Sequence, residues 1–186
     1  MRMEAVAMMG LIVVDAQNEF SAAGKRPVPN QEDALYMILV QVTMARALNL
    51  PIAWVRHYNR PNESKAFMPG TWGSELMEGC GPDPKRESER LFEKDVFGAF
   101  TGTELEGWLR GMGVTTVLVS GFYTHMCVST TVREALVRGF DVVVERRATG
   151  TCDLVHESLG KQSADEVRRT ALLQLASMGA RILDDE

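Results

Sequence analysis

Val114-Thr115-Thr116-Val117-Leu118-Val119 is a short apolar, β-branched run; Gly121 breaks it, and from about Cys127 to Arg138 a helical pattern follows, with Val128, Val132, Ala135 and Leu136 on one face. A strand that gives way to a helix is half of a βαβ unit, so this stretch predicts a parallel sheet. The rhythm extends both ways. Upstream, Leu11–Val14 reads as a strand buried on both faces, and Asn30 as the N-cap of a helix carrying Leu35, Ile38, Leu39, Val42 and Ala45. Pro51 ends that helix, Ile52–Val55 is a second strand, and Leu91–Lys94 a short third. Thr103 with Glu106 forms a capping-box pattern opening a helix through Leu109. Downstream, Phe140–Val144 is a fifth strand, Ser163 with Glu166 a second capping box before a helix with Val167, Leu172, Leu175 and Ala176, and Ala180–Leu183 a sixth strand. The stretch from about His57 to Arg90, rich in Pro, Gly and charge, is too irregular for a regular element throughout, and long loops of this kind often build active sites.

The fold class expected is therefore α/β, a three-layer αβα arrangement around a mostly parallel sheet of about six strands. The 186 residues suit one domain, 1–186, without internal repeat or linker. Lys plus Arg number 20 against 25 Asp plus Glu, a net charge of −5 that gives no footprint for a nucleic acid. Arg2 and the apolar run Ala5–Val14 superficially resemble a signal peptide, but Glu4 spoils the positive flank, and no segment reaches membrane-spanning length. Three cysteines, Cys80, Cys127 and Cys152, are an odd number with no C-x-x-C pair, so a cytoplasmic, reducing setting fits best. Gly111-Met112-Gly113 follows a helix and precedes a strand, so it is no dinucleotide fingerprint, and no cofactor is expected.

In parallel sheets the ligand crevice lies beyond the carboxyl ends of the strands. Asp15 follows the first strand, Lys94 ends the third, and Cys127 sits just past the fourth. Taken singly, an acid at a strand end is more often a turn residue, a lysine a solvated charge, and a cysteine a small buried hydrophobe. Together they make a coherent set. A cysteine at a helix N-terminus meets orphan amides and a positive dipole end that lower its pKa, a lysine stabilises thiolate and carboxylate, and an acid can accept the thiol proton.

Beyond this chemistry, the sequence resembles the isochorismatase-like cysteine hydrolases, a family that includes nicotinamidases, N-carbamoylsarcosine amidases and ureidoacrylate amidohydrolases. The likeness runs over nearly the whole chain. Asp15-Ala16-Gln17-Asn18-Glu19-Phe20 matches D-x-Q-x-x-F, followed by Pro69-Gly70-Thr71-Trp72-Gly73 and the lysine segment Lys94–Phe100. Gly121-Phe122-Tyr123-Thr124-His125-Met126-Cys127-Val128, with Thr131 and Ala135 behind it, is similar to the family's G-x-x-T-x-x-C-V-x-x-T-x-x-x-A. The resemblance implies a triad of Asp15, Lys94 and Cys127, a cis peptide joining Phe122 to Tyr123, and an oxyanion hole from the backbone N–H groups of Tyr123 and Cys127. It further implies hydrolysis of a small amide, ureido or carbamoyl compound through a Cys127 thioester, in a homodimer or homotetramer, with a non-catalytic metabolite-binding or assembly member of the same fold as the alternative.

Phe20, Tyr123, Trp72 and His57 are the expected substrate-binding residues, with Trp72 evenly balanced against a plain core role. Metal-dependent nicotinamidases carry D-x-H after the second strand, where this chain has Val55-Arg56-His57, so no metal is expected and nicotinamide is a doubtful substrate. Where relatives place Asp-Ala after the fifth strand, Glu145-Arg146-Arg147-Ala148 stands; these arginines are expected at the surface or an interface, with carboxylate recognition as the sharper alternative. Arg26, Arg56 and Arg146 are the candidates for making the pocket locally positive. Cys80 in the long loop is expected to be open to oxidation.

Overall fold

A computed structural model describes residues 8–184, so the signal-peptide question at Arg2 to Ala7 lies outside the described residues. The apolar runs become strands β1 (Met8–Val14), β2 (Ile52–His57), β3 (Glu89–Lys94), β4 (Val114–Phe122) and β5 (Asp141–Gly150). A hairpin of β6 (Leu154–His156) and β7 (Gly160–Gln162), which no periodicity announced, stands apart from them, and β8 (Arg181–Leu183) closes the chain. The other six strands form one all-parallel sheet of order β3-β2-β1-β4-β5-β8. Helix α1 (Gln31–Ala47) covers one face through Ala34, Ile38 and Val42, packed with Leu11, Val13 and Trp54. On the other face α2 (Leu105–Gly111), α3 (Ser129–Val137) and α4 (Ala164–Ser177) bury Leu109, Val132 and Leu175 against Ile12, Val14 and Val55. Consecutive residues of β1 thus face opposite cores, which is why Leu11–Val14 is apolar at every position.

Local signals fared unevenly. Ser163 and Glu166 do form the capping box of α4. Asn30 instead adopts a left-handed conformation with no side-chain cap, and α2 starts after Glu104, whose side chain makes no cap bond, with the Leu105 amide donating to Thr103 Oγ1 at 3.3 Å. Thr103 Oγ1 is turned back to donate to the Ala99 carbonyl at 2.6 Å, so its pairing with Glu106 does not arise. The helix expected from Cys127 begins as a π-helical turn, Thr124–Val128, that runs directly into α3.

β5 is longer than the predicted Phe140–Val144. Its pairing with β4 breaks after Val119↔Val144 and resumes at Gly121↔Thr149, so Glu145–Ala148 bulges out of the ladder. At Gly121 the reason for glycine is steric: φ is +123°, and a Cβ there would lie 1.8 Å from the Val14 carbonyl oxygen.

The loop from 81 to 88 is tied down by Glu89, whose side chain is fully buried. Its carboxylate accepts hydrogen bonds from Arg46 Nε (2.8 Å) and Nη2 (2.9 Å), Trp54 Nε1 (3.1 Å) and the Asp83 amide (3.0 Å). Glu89→Ala is expected to destabilise the fold by about 2–3 kcal/mol, the scale for charge-assisted bonds whose partners are left unsatisfied. Although burial opposes ionisation, Arg46, Asp83 and Trp54 hold the Glu89 carboxyl below its usual value of 4.5, so this stabilisation is full above that pH and is lost as pH falls through the lower, folded value. Urea denaturation of both proteins at neutral pH and near pH 3 checks it: the difference between them shrinks in acid.

Candidate active site

The carboxyl ends of β1, β3 and β4 bring three side chains together. Asp15 follows β1 directly, its φ of +52° an uncommon value for a non-glycine residue. That conformation is held on both sides: the Asp15 amide donates to the Val55 carbonyl at 2.9 Å, and its carbonyl accepts from the Gln17 amide at 2.7 Å. Lys94, at the end of β3, is buried and donates from Nζ to Asp15 Oδ2 at 2.8 Å and to the Val96 carbonyl at 3.1 Å. Asp15 Oδ1 is left with no hydrogen-bond partner among the described residues. Cys127, in the π-helical turn, lies near enough to Asp15 and Lys94 for both charges to act on its thiol. The Phe122–Tyr123 peptide just before that turn is cis.

The surroundings of the Cys127 thiol oppose its ionisation. Burial, reinforced by the Asp15 charge, pushes its pKa well above the usual value despite the opposing effect of Lys94. This overturns the expectation of a helix-lowered cysteine. Lys94⁺ and Asp15⁻ already form a neutral buried pair, and ionising Cys127 would add an uncompensated negative charge. Burial works against the Lys94 ammonium too, but Asp15 and Cys127 outweigh it and raise its pKa.

Asp15 and Cys127 line a cavity of about 470 Å³. Phe20, Phe67, Tyr123 and Met126 supply apolar wall, and Phe20 stands edge-on to Tyr123 at 4.8 Å between centroids. Tyr123 donates its hydroxyl to the Arg26 carbonyl at 2.8 Å. His57 also lines the cavity. Trp72, in a short turn at Trp72–Ser74 and 55% exposed, lies outside it, because Asn18 and the turn itself hold that segment at the surface.

Of the expected cations, only Arg26 borders the cavity. Arg56 pairs with Glu93 at 2.5 Å, Arg146 with Asp184 at 3.0 Å, and Arg147 with Glu145 at 3.2 Å, all outside it. Arg60, which the sequence did not single out, does line it and pairs with Asp95 at 2.8 Å. Cys80 is half-buried away from the cavity and its thiol is pushed up to about 12 by burial, which disfavours the oxidation expected of it. His125 pairs with Thr151 and stacks on Tyr123.

Gln17 was missed as a functional position although it lies inside the D-x-Q motif. Fully buried, it accepts from the His57 amide (2.9 Å), and its Nε2 donates to the His57 carbonyl (2.9 Å) and the Ser74 carbonyl (2.9 Å), clamping the end of β2 to the long loop. Its place in the D-x-Q motif, two residues after Asp15, was the available signal. Thr131 likewise holds the lysine loop, accepting from the Ala99 amide at 3.1 Å. Among the described residues no group of three or more His, Cys, Asp or Glu is placed to hold a metal ion, and no helix is long and apolar enough to cross a membrane.

Comparison with known proteins gives a consistent picture. Residues 9–186 match the family described as "Isochorismatase domain". The chain is 34% identical over 144 residues to a secreted isochorismatase effector of Verticillium dahliae, covering 77% of this chain and 73% of that one. It is 29% identical to nicotinamidase 3 of Arabidopsis thaliana over 94% of this chain and 83% of the other. The crystal structure of an isochorismatase from Pseudomonas putida superposes with a TM-score of 0.83 at 29% identity, covering 94% of this chain and 86% of that one.

Proposed function

Because the chain belongs to the isochorismatase family of hydrolases, we propose that it is a cysteine hydrolase cleaving a C–N bond of a small amide, ureido or carbamoyl compound. The convergence of Asp15 and Cys127 at one cavity, with Lys94 paired to Asp15 behind it, supports this reading. Asp15 Oδ1, free of Lys94, takes the Cys127 proton as Sγ attacks the substrate carbonyl, so the nucleophile is made only as it is used. The oxyanion develops against the backbone N–H groups of Tyr123 and Cys127, while Lys94 balances the charge around Asp15. The protonated Asp15 then delivers its proton to the departing ammonia or amine. The same carboxylate deprotonates a water that opens the thioester, giving the acid and restoring the thiol. Phe20, Tyr123 and His57 flank the bound substrate.

Three free thiols fit a reducing, cytoplasmic setting. As a homodimer or homotetramer the protein would run at two or four times the chain mass in light scattering; a monomer at micromolar concentration rejects assembly.

The test is release of ammonia or amine across nicotinamide, carbamoyl-amino acids, ureido acids and biuret-type compounds. Wild type is expected to turn over at least one of them, with an acyl adduct on Cys127 in rapid-quench mass spectra, while Cys127→Ala drops to background. Turnover that survives Cys127→Ala rejects the nucleophile. No turnover by wild type across the panel, with equilibrium binding of one of its compounds, favours the metabolite-binding alternative.

A further inference from the structure

We infer that His57 is a positioning residue for Lys94: as the neutral tautomer protonated at Nε2, and fixed by Asn59, it accepts the third hydrogen bond of the Lys94 ammonium and holds that cation beside Asp15. The inference rests on the proposed roles of Asp15, Lys94 and Cys127 for its catalytic consequence, though not for its chemistry.

The tautomer follows from which neighbours can only donate and which can only accept. Lys94 Nζ stands 3.4 Å from His57 Nδ1, and an ammonium has no lone pair, so Nδ1 must be the acceptor. On the other side, Asn59 Nδ2 donates to the Ala66 carbonyl at 3.0 Å, which turns the Asn59 Oδ1 towards the ring. That oxygen lies 2.9 Å from His57 Nε2, so Nε2 carries the proton. The three acceptors Asp15 Oδ2, Val96 O and His57 Nδ1 use all three N–H bonds of Lys94. The His57 backbone is itself pinned by Gln17, and Phe67 stands edge-on to the ring at 5.5 Å.

Protonating the ring would destroy the acceptor and put a second positive charge against Lys94. Burial, then Lys94, hold the His57 pKa below its ordinary value, while Asp15, the bond to Asn59 and Glu63 pull the other way and are outweighed. Asp95, the remaining acid that feels the ring, is engaged by Arg60.

Long-range ¹H–¹⁵N spectra of the ring nitrogens of the full chain, assigned by loss of signals in His57→Asn, test the tautomer without any substrate. The expected result is a protonated Nε2 and a bare Nδ1 at pH 7, with Asn59→Leu releasing the ring to a mixture of tautomers. A proton on Nδ1, or a charged ring at pH 7, overturns the inference whatever the enzyme does. With a panel compound that is turned over, His57→Leu is expected to lower kcat about 100-fold, the scale of a misplaced catalytic group, with KM changed less than about threefold. His57→Asn, which keeps an acceptor near the Nδ1 position, is expected to recover about tenfold of that loss. Equal losses in both variants, or a loss confined to KM, mean that His57 only shapes the pocket and reject the positioning role. Should His57→Leu fail to fold, Asn59→Leu replaces it: a fall in kcat together with mixed tautomers supports positioning, and an unchanged kcat with mixed tautomers rejects it.

Discussion

Asp15→Asn is expected to reduce turnover by at least about 10³–10⁴-fold, beyond any loss of stability, because one carboxylate serves every proton transfer of the proposed cycle. The amide oxygen still accepts from Lys94, so the variant keeps the buried contact seen at 2.8 Å. It cannot take a proton. With burial opposing ionisation of Cys127, attack in the proposed cycle lacks its proton acceptor and stalls before the acyl intermediate. Rapid-quench mass spectrometry should therefore find no adduct on Cys127 in Asp15→Asn. Adduct accumulation would instead place Asp15 in the second half-reaction alone, and unchanged turnover would remove it from the mechanism.

The second large effect is on stability. Lys94→Met keeps the bulk of the side chain and removes its charge, leaving the Asp15 carboxylate buried with neither cation nor donor. Breaking one side of such a pair costs about 3–5 kcal/mol, whereas replacing both sides with neutral groups is often close to harmless. Lys94→Met alone should show the full loss in urea denaturation, and Asp15→Asn with Lys94→Met should recover most of it. Additive losses would mean that the pair is not coupled. The pH dependence has a definite sign: Lys94 titrates higher in the folded state than its ordinary 10.5, so its contribution is complete at neutral pH and is lost only as pH rises through that higher folded value.

The sheet was legible because strands buried on both faces have to be apolar at consecutive positions, and Leu11–Val14 and Ile52–Val55 are, with Val114, Val117 and Val119 marking the buried positions of β4. Strand ends then marked where Asp15, Lys94 and Cys127 would meet. What stayed hidden depends on contacts far along the chain. Asn30 has the chemistry of a cap, but its backbone conformation is set by the loop that feeds α1. The hairpin of β6 and β7 is exposed at every residue, so no burial pattern could reveal it. Asn59 and Gln17 owe their roles to partners such as Ala66, Ser74 and the two sides of His57. The charge state of Cys127 escapes a helix-end argument because that argument is local, while burial beside Asp15 is not.

The contact at Gly121 bears on heat tolerance. With the Val14 carbonyl occupying the space a side chain would need, the ends of β1 and β4 are in direct contact; Asp15 follows the first of them directly, and the turn that carries Cys127 follows the second. The spacing between Asp15 and Cys127 should accordingly depend on this contact and on α3, into which the turn of Cys127 runs directly. Warming is then expected to speed the reaction up to the melting transition and to extinguish it there in one step, with no earlier decline of the kind seen when a catalytic group sits on a loop that softens first.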